Sequence, residues 1–267
     1  MHNPAAFYIA NSYRRKYNTG LEGRIRRECA MIDFHTHILP GIDDGSKDIA
    51  MTEEMLRREA AMGVTKVYAT PHFYAYKSGV DGFLEKREKS LDEVRALLER
   101  TENLPEVAVG AEVYYFRGIG KADATPRLCI EGTDVLLLEM PFKQWEEEVY
   151  RDVRELVFRR KLRVVLAHVE RYTGFQKDRS VWDEVMGLPV TIQMNAESFL
   201  KFGMKRRFCM NLLRQEEGRV IIGSDCHNLS GRAPNLADAI GYIEKKAGAD
   251  MIKSIEETEK KLLCRPM

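Results

Sequence analysis

Seven short apolar runs punctuate this chain, and six of them end at or beside histidine, aspartate or glutamate. The run 31–34 meets His35, 67–70 precedes His72, and 107–111 stops at Glu112. The run 135–138 stops at Glu139, 164–167 at His168, and 220–223 precedes Asp225 and His227. A carboxylate that closes a run of leucines is costly to bury unpaired, and a cation offsets that cost. The pattern therefore predicts strands that deliver metal ligands as they end.

Strands are expected at 31–34, 66–70, 107–111, 134–139, 163–168, 190–194 and 219–224. Helical patterns lie between them at 48–62, 81–101, 145–160, 178–187, 205–217, 235–247 and 250–263. In the segment 145–160, Trp145, Val149, Val153, Leu156 and Val157 form one apolar stripe, as in a helix laid on a sheet. Seven strand-plus-helix units without a hairpin signal imply a parallel sheet covered on both faces. The expected fold is α/β, a closed or nearly closed barrel of seven strands. An open doubly wound sheet is the alternative, but no Gly-rich phosphate loop follows the first strand. In barrels the chemistry gathers at the carboxyl ends of the strands, where these histidines and carboxylates fall.

A chain of 267 residues, 44% of them apolar, can bury one full core, so residues 31–267 are expected to form a single domain. The formal charge of +1 argues against a nucleic-acid surface spread over the molecule. Five widely spaced cysteines without C-x-x-C indicate neither a disulfide framework nor a zinc knuckle, which fits a reducing cytoplasm. No membrane span or apolar signal core is present. Residues 1–30 differ: six basic residues face two acidic ones. They are expected to be an unstructured leader or an upstream start, with a basic arm for lipid or an acidic partner as the alternative.

His35 and His37 form H-x-H at a strand end, so both imidazoles point the same way and can share an ion. Asp225 and His227 repeat the arrangement at the seventh strand, which barrel closure would set beside the first. A donor set of nitrogen and oxygen without a needed cysteine suits Mn²⁺, Fe²⁺ or Zn²⁺ better than Ca²⁺ or Mg²⁺.

The strings MIDFHTH (31–37), DDG (43–45), ATPH (69–72), GAEVYY (110–115), LE (138–139), AHVERY (167–172) and GSDCHNLSGRAP (223–234) carry a family resemblance. In order and spacing the chain resembles the polymerase and histidinol phosphatase (PHP) superfamily over about residues 31–263. More closely, it resembles the manganese-dependent bacterial tyrosine-protein phosphatases of capsule and exopolysaccharide synthesis. The resemblance implies a distorted TIM-like (β/α)7 barrel with up to three divalent ions, Mn²⁺ above all, and attack on phosphotyrosine by metal-activated hydroxide. It implies a first ion on His35, His37, Glu112 and Asp225, and a second on Glu139 and His168 with Glu112 bridging. The third would lie on Asp44, His72 and His227, with Asp43 a near-equal candidate for the Asp44 role. It assigns the substrate phosphate to Arg171 and Arg232, whose guanidinium forks match phosphate oxygens. It implies a phosphotyrosine protein as substrate, the tail of a bacterial tyrosine kinase. A PHP phosphatase for a small phosphomonoester such as histidinol phosphate is the alternative. A nuclease lacks a basic groove here, and a non-catalytic scaffold would be expected to have lost ligands.

Phe73, Tyr74 and Tyr76 follow His72 and are candidates to pack on a phosphotyrosine ring. Cys226 and Arg232 form C-x5-R, the spacing of cysteine-dependent tyrosine phosphatases. With five cysteines and 25 arginines in 267 residues, that spacing arises by chance in roughly one such chain in two. Cys226 also sits between Asp225 and His227, so it is expected to point away from them.

Overall fold

The computed structural model describes residues 31–264, so the leader expected over 1–30 lies outside the described residues. The strands are β1 (Met31–Thr36), β2 (Val64–Ala69), β3 (His72–Phe73), β4 (Glu106–Val109), β5 (Glu112–Tyr114), β6 (Val135–Glu139), β7 (Arg163–Leu166), β8 (Thr191–Asn195) and β9 (Val220–Gly223). They form two sheets, β1-β2-β4 and β3-β5-β6-β7-β8-β9, with every pairing parallel. The fold is mixed α/β, as the alternating pattern predicts.

Two of the seven expected strands are interrupted, and the interruption divides the sheets. Pro71 has no N–H for a ladder, so pairing stops at Ala69 and restarts at His72. The neighbouring strand breaks at the same level, between Val109 and Glu112, where Glu112 N–H turns to the carbonyls of Thr70 (3.3 Å) and Pro71 (3.1 Å). The first and last strands meet: Asp225 N–H donates to the His35 carbonyl (2.8 Å) and His37 N–H to the Cys226 carbonyl (2.9 Å).

The helices are α1 (Ile49–Ala61), α2 (Val80–Arg100), α3 (Glu147–Arg154), α4 (Ser180–Met186), α5 (Glu197–Leu200), α6 (Met204–Gln215), α7 (Leu236–Ala247) and α8 (Ala249–Leu263). Asp48 caps α1 by accepting from Met51 N–H at 2.8 Å. The single helix expected at 145–160 is α3 followed by a π-helical turn, Glu155–Arg159.

Successive strand residues enter different clusters, which is why the runs are apolar throughout. Leu136, Leu138, Val164, Leu166, Val220 and Ile222 join the larger cluster with helix residues such as Met55, Leu97 and Val153. Val135, Leu137, Val165 and Ile221 turn the other way, into a smaller cluster with Phe34 and Tyr68. Strands of both sheets thus share one inner packing, with the Phe34 and Tyr68 rings stacked at 5.0 Å. No helix among the described residues is long and apolar enough to cross a membrane.

Candidate metal centre

The nine residues assigned as ligands from sequence converge at the carboxyl ends of the strands. His35 and His37 bring their Nε2 atoms to 3.2 Å. Glu112 Oε2 lies 3.3 Å from each, and Asp225 Oδ1 3.5 Å from each. Donors bound at ~2.1 Å to one divalent ion sit about 3.0–3.4 Å apart, so this spacing suits an ion between them.

Two further groups adjoin it. His37, Asp44, His72 and His227 gather around one point, with Asp44 Oδ1 3.4 Å from His72 Nε2 and 3.5 Å from His227 Nε2. His72, Glu112 and Glu139 form the other group. Glu112 Oε1 reaches His168 Nε2 at 2.7 Å, and Glu139 Oε1 lies 3.6 Å from the same nitrogen. His72 therefore stands between two groups rather than in one, and Glu112 touches His35, His37, His72 and His168.

The electrostatics fit divalent ions. Glu112 is fully buried, and Glu139 nearly so. Burial and the Glu112 charge push the Glu139 carboxyl up to about 8, whereas neighbouring histidines outweigh burial and hold Glu112 well below its ordinary range. His227 is driven down to about 2 by burial and by His37. His72 Nδ1, Glu112 Oε2, Glu139 Oε2 and His227 Nε2 are buried without a hydrogen-bond partner. Four orphaned donor atoms in one place are what a cation would satisfy.

Neighbouring groups orient these ligands, and sequence reading missed most of them. Asp43 Oδ2 sits 2.7 Å from His37 Nδ1 and accepts from His72 N–H, so it stands behind the histidines while Asp44 faces the exposed side. Burial works against His37, yet Asp43 and Glu112 raise its imidazole to about 10. Tyr172 OH lies 3.1 Å from His168 Nδ1, and Asn195 Nδ2 donates to Asp225 Oδ2 at 2.7 Å. Gln193 Oε1 contacts His35 Nδ1 and accepts from His168 N–H. The available signal was Gln193 and Asn195 two apart in β8, alternating with Ile192 and Met194, which puts both on one face.

Close backbone approach is built in. A Cβ on Gly45 would lie 2.1 Å from the His37 carbonyl oxygen, and one on Gly223 would lie 2.8 Å from His35 Cβ. His168 and Asp225 adopt left-handed φ of 32° and 53°, an uncommon choice for non-glycine residues at a strand end.

Both arginines reach the centre. Arg232 Nη2 lies 2.7 Å from Asp225 Oδ1, and Arg171 Nη1 3.5 Å from Asp225 Oδ2. Each is about one-third exposed and so faces the open side. Tyr74 lies beside His72 (ring centroids 5.2 Å apart) and close to Tyr76 (5.5 Å) and Tyr114 (5.6 Å). Phe73 is a correction to the sequence reading: it is buried and packs edge-on against Phe83 at 5.2 Å, because successive strand residues face opposite ways. Cys226 is buried and points to Glu59, 3.8 Å away, and burial with the Glu59 charge holds its thiol well above the ordinary range.

Comparison with known proteins agrees with this geometry. The chain is 26% identical over 232 residues to the tyrosine-protein phosphatase CpsB of Streptococcus pneumoniae, covering 84% of this chain and 94% of the relative. It is 27% identical over 241 residues to the tyrosine-protein phosphatase YwqE of Bacillus subtilis, covering 87% and 91%. Among solved structures, one from a study of YwqE and CpsB, described there as unique metal-dependent tyrosine phosphatases, superposes with a TM-score of 0.75. It is 24% identical, with 87% of this chain and 94% of that one covered, and supports the fold. Residues 31–263 match the model of the family described as capsular polysaccharide synthesis, CpsB/CapC. The chain belongs to the CpsB/CapC family.

Proposed function

We propose that this protein is a metal-dependent protein-tyrosine phosphatase that acts on a phosphotyrosine protein, the tail of a bacterial tyrosine kinase controlling capsule or exopolysaccharide synthesis. The observation that carries the reading is the convergence of three donor groups on Glu112, with two guanidinium groups at their open side. Relatives named tyrosine-protein phosphatase support the substrate class. We take the fold to be a distorted (β/α)7 barrel of the PHP type, supported by the contact between β1 and β9 and the shared inner cluster.

In this reading His35, His37, Asp225 and Glu112 hold one ion. Glu112, Glu139 and His168 hold a second, and Asp44, His72 and His227 a third, with Mn²⁺ the proposed native ion. Divalent ions held by these residues would polarise a phosphoryl oxygen and lower the pKa of bound water.

The chain's own groups do the rest. Arg171 and Arg232 exchange their contacts with Asp225 for the phosphate and hold it while charge builds on its oxygens. Tyr74, Tyr76 and Tyr114 offer a wall for the ring of phosphotyrosine on the His72 side. Buried, unpaired Cys129 and Cys209 fit a cytoplasmic setting.

Hydrolysis of a phosphotyrosine peptide and of histidinol phosphate, each with and without Mn²⁺, tests the proposal. Metal-dependent turnover favouring the peptide is expected. Preference for histidinol phosphate would replace it with the small-molecule reading.

A further inference from the structure

The chain between α5 and α6 leaves Phe202 93% and Met204 90% exposed, the most exposed large apolar residues among those described. Basic residues surround them. From 198 to 215 the sequence holds Lys201, Lys205, Arg206, Arg207 and Arg214 and no acid, in a chain whose overall charge is only +1. Lys201 pairs with Glu197 at 2.5 Å, and the Arg206 guanidinium lies over the rings of Phe202 and Tyr242, 4.9 Å from each. Lys205 and Arg207 are exposed.

The tip sits at the metal end of the molecule. It follows β8, whose last residue, Asn195, donates its N–H to Glu170 Oε1, and Ser198 Oγ donates to the same oxygen. Glu170 directly precedes Arg171, so the tip and the phosphate-side arginine rise from neighbouring segments of one rim.

We propose that this tip contacts an anionic lipid bilayer, with Phe202 and Met204 entering the headgroup layer while Lys201, Lys205 and Arg207 meet headgroup phosphates. Two side chains exposed by nine-tenths form a convex knob, not a groove. A knob buries its apolar surface only in something that closes around it, as the interfacial layer of a bilayer does. The basic ring is complementary to anionic headgroups, and such charges act only within a Debye length of the surface. Contact through the tip turns the metal end toward the bilayer surface. The inference concerns location and does not depend on the reaction catalysed.

The test is co-sedimentation of the full chain with vesicles of phosphatidylcholine alone and of equimolar phosphatidylcholine and phosphatidylglycerol. Binding to the anionic vesicles alone is expected, and weakening by salt. Phe202→Ser with Met204→Ser, and separately Lys205→Glu with Arg207→Glu, should each weaken binding at least about tenfold. Both double variants should keep the parental circular dichroism spectrum. The basic leader remains in each, so undiminished binding by both would assign lipid contact elsewhere and overturn the proposal. Absence of parent binding to anionic vesicles would overturn it too. So would self-association of the parent that the Phe202→Ser, Met204→Ser change abolishes without affecting vesicle binding, since a second copy would then cover the tip.

Discussion

Gln193 fixes the tautomer of His35. Its Oε1 accepts the His168 backbone N–H at 2.7 Å, which identifies that atom as the oxygen, so His35 Nδ1, 3.1 Å away, must be the protonated nitrogen. His35 Nε2 is thereby left with a lone pair facing His37, Glu112 and Asp225.

Replacing Gln193 with leucine should free the ring and lower metal affinity by about 10–100-fold, the usual cost of losing an outer hydrogen-bond partner. Glutamate keeps an acceptor and should restore part of it. Titration against a chelator measures both. Parental affinity in the leucine variant would show that packing alone sets the ring.

Glu112 lies within 3.3 Å of four histidines. Glu112→Gln should therefore lower metal content and turnover further than any other single ligand change, beyond the roughly 10–100-fold that loss of an outer partner causes. Elemental analysis of the folded variant checks this. Full occupancy would mean that Glu112 serves none of the ions.

Arg171 and Arg232 flank Asp225 and carry no lone pair for a metal. Alanine at either position should leave metal content intact and reduce kcat/KM by about 2–4 kcal/mol of transition-state stabilisation. Lysine should rescue in part, because it keeps charge but loses the planar fork. Alanine variants turning over phosphotyrosine peptide at the parental rate would leave phosphate binding to the ions alone.

Cys226→Ser should keep turnover within about twofold of the parent, because the thiol is buried, protonated and directed at Glu59. Chelation should abolish activity and Mn²⁺ restore it. An inactive serine variant with normal metal content would favour a thiolate nucleophile instead.

Glu59 and Asp33 are fully buried, and burial with the Asp33 charge raises the Glu59 carboxyl well above its ordinary range. A carboxyl raised by folding stabilises most below the unfolded pKa near 4.5 and loses that contribution as pH rises through its folded pKa. Glu59→Gln should accordingly lessen the fall in Tm as pH rises above the unfolded value near 4.5. An unchanged fall in thermal unfolding curves would show that Glu59 stays ionised in the folded chain.

The strand ends were legible because a polar residue that closes an apolar run is drawn into the interior with it and must meet a partner there. His35, Glu139 and His168 lie where that logic puts them. Phe73 was misread because it was taken with Tyr74 and Tyr76 as part of the segment after His72, whereas the short strand β3 includes it and turns its ring into the core. Asp43 and Asp44 were inseparable because one step of loop register exchanges their roles. The π-helical turn after α3 leaves the apolar stripe almost unchanged, so periodicity passed over it. Gln193 and Asn195 were overlooked because β8 ends in no ionisable side chain, although its polar face is what orients its neighbours' ligands.

The seam at Pro71 and Gly110 bears on ion choice. An unbroken ladder would tie His72 and Glu112 rigidly to β1 and its two histidines, and an ion of another radius would strain that ladder. With the ladder interrupted, His72 and Glu112 are joined to β1 on this side through single hydrogen bonds across the break, Thr70 N–H to the Thr36 carbonyl and Glu112 N–H to the Thr70 carbonyl, in place of a continuous register. Any tolerance for divalent ions of differing size would then depend on where the hydrogen bonds stop, as much as on which side chains face the ion.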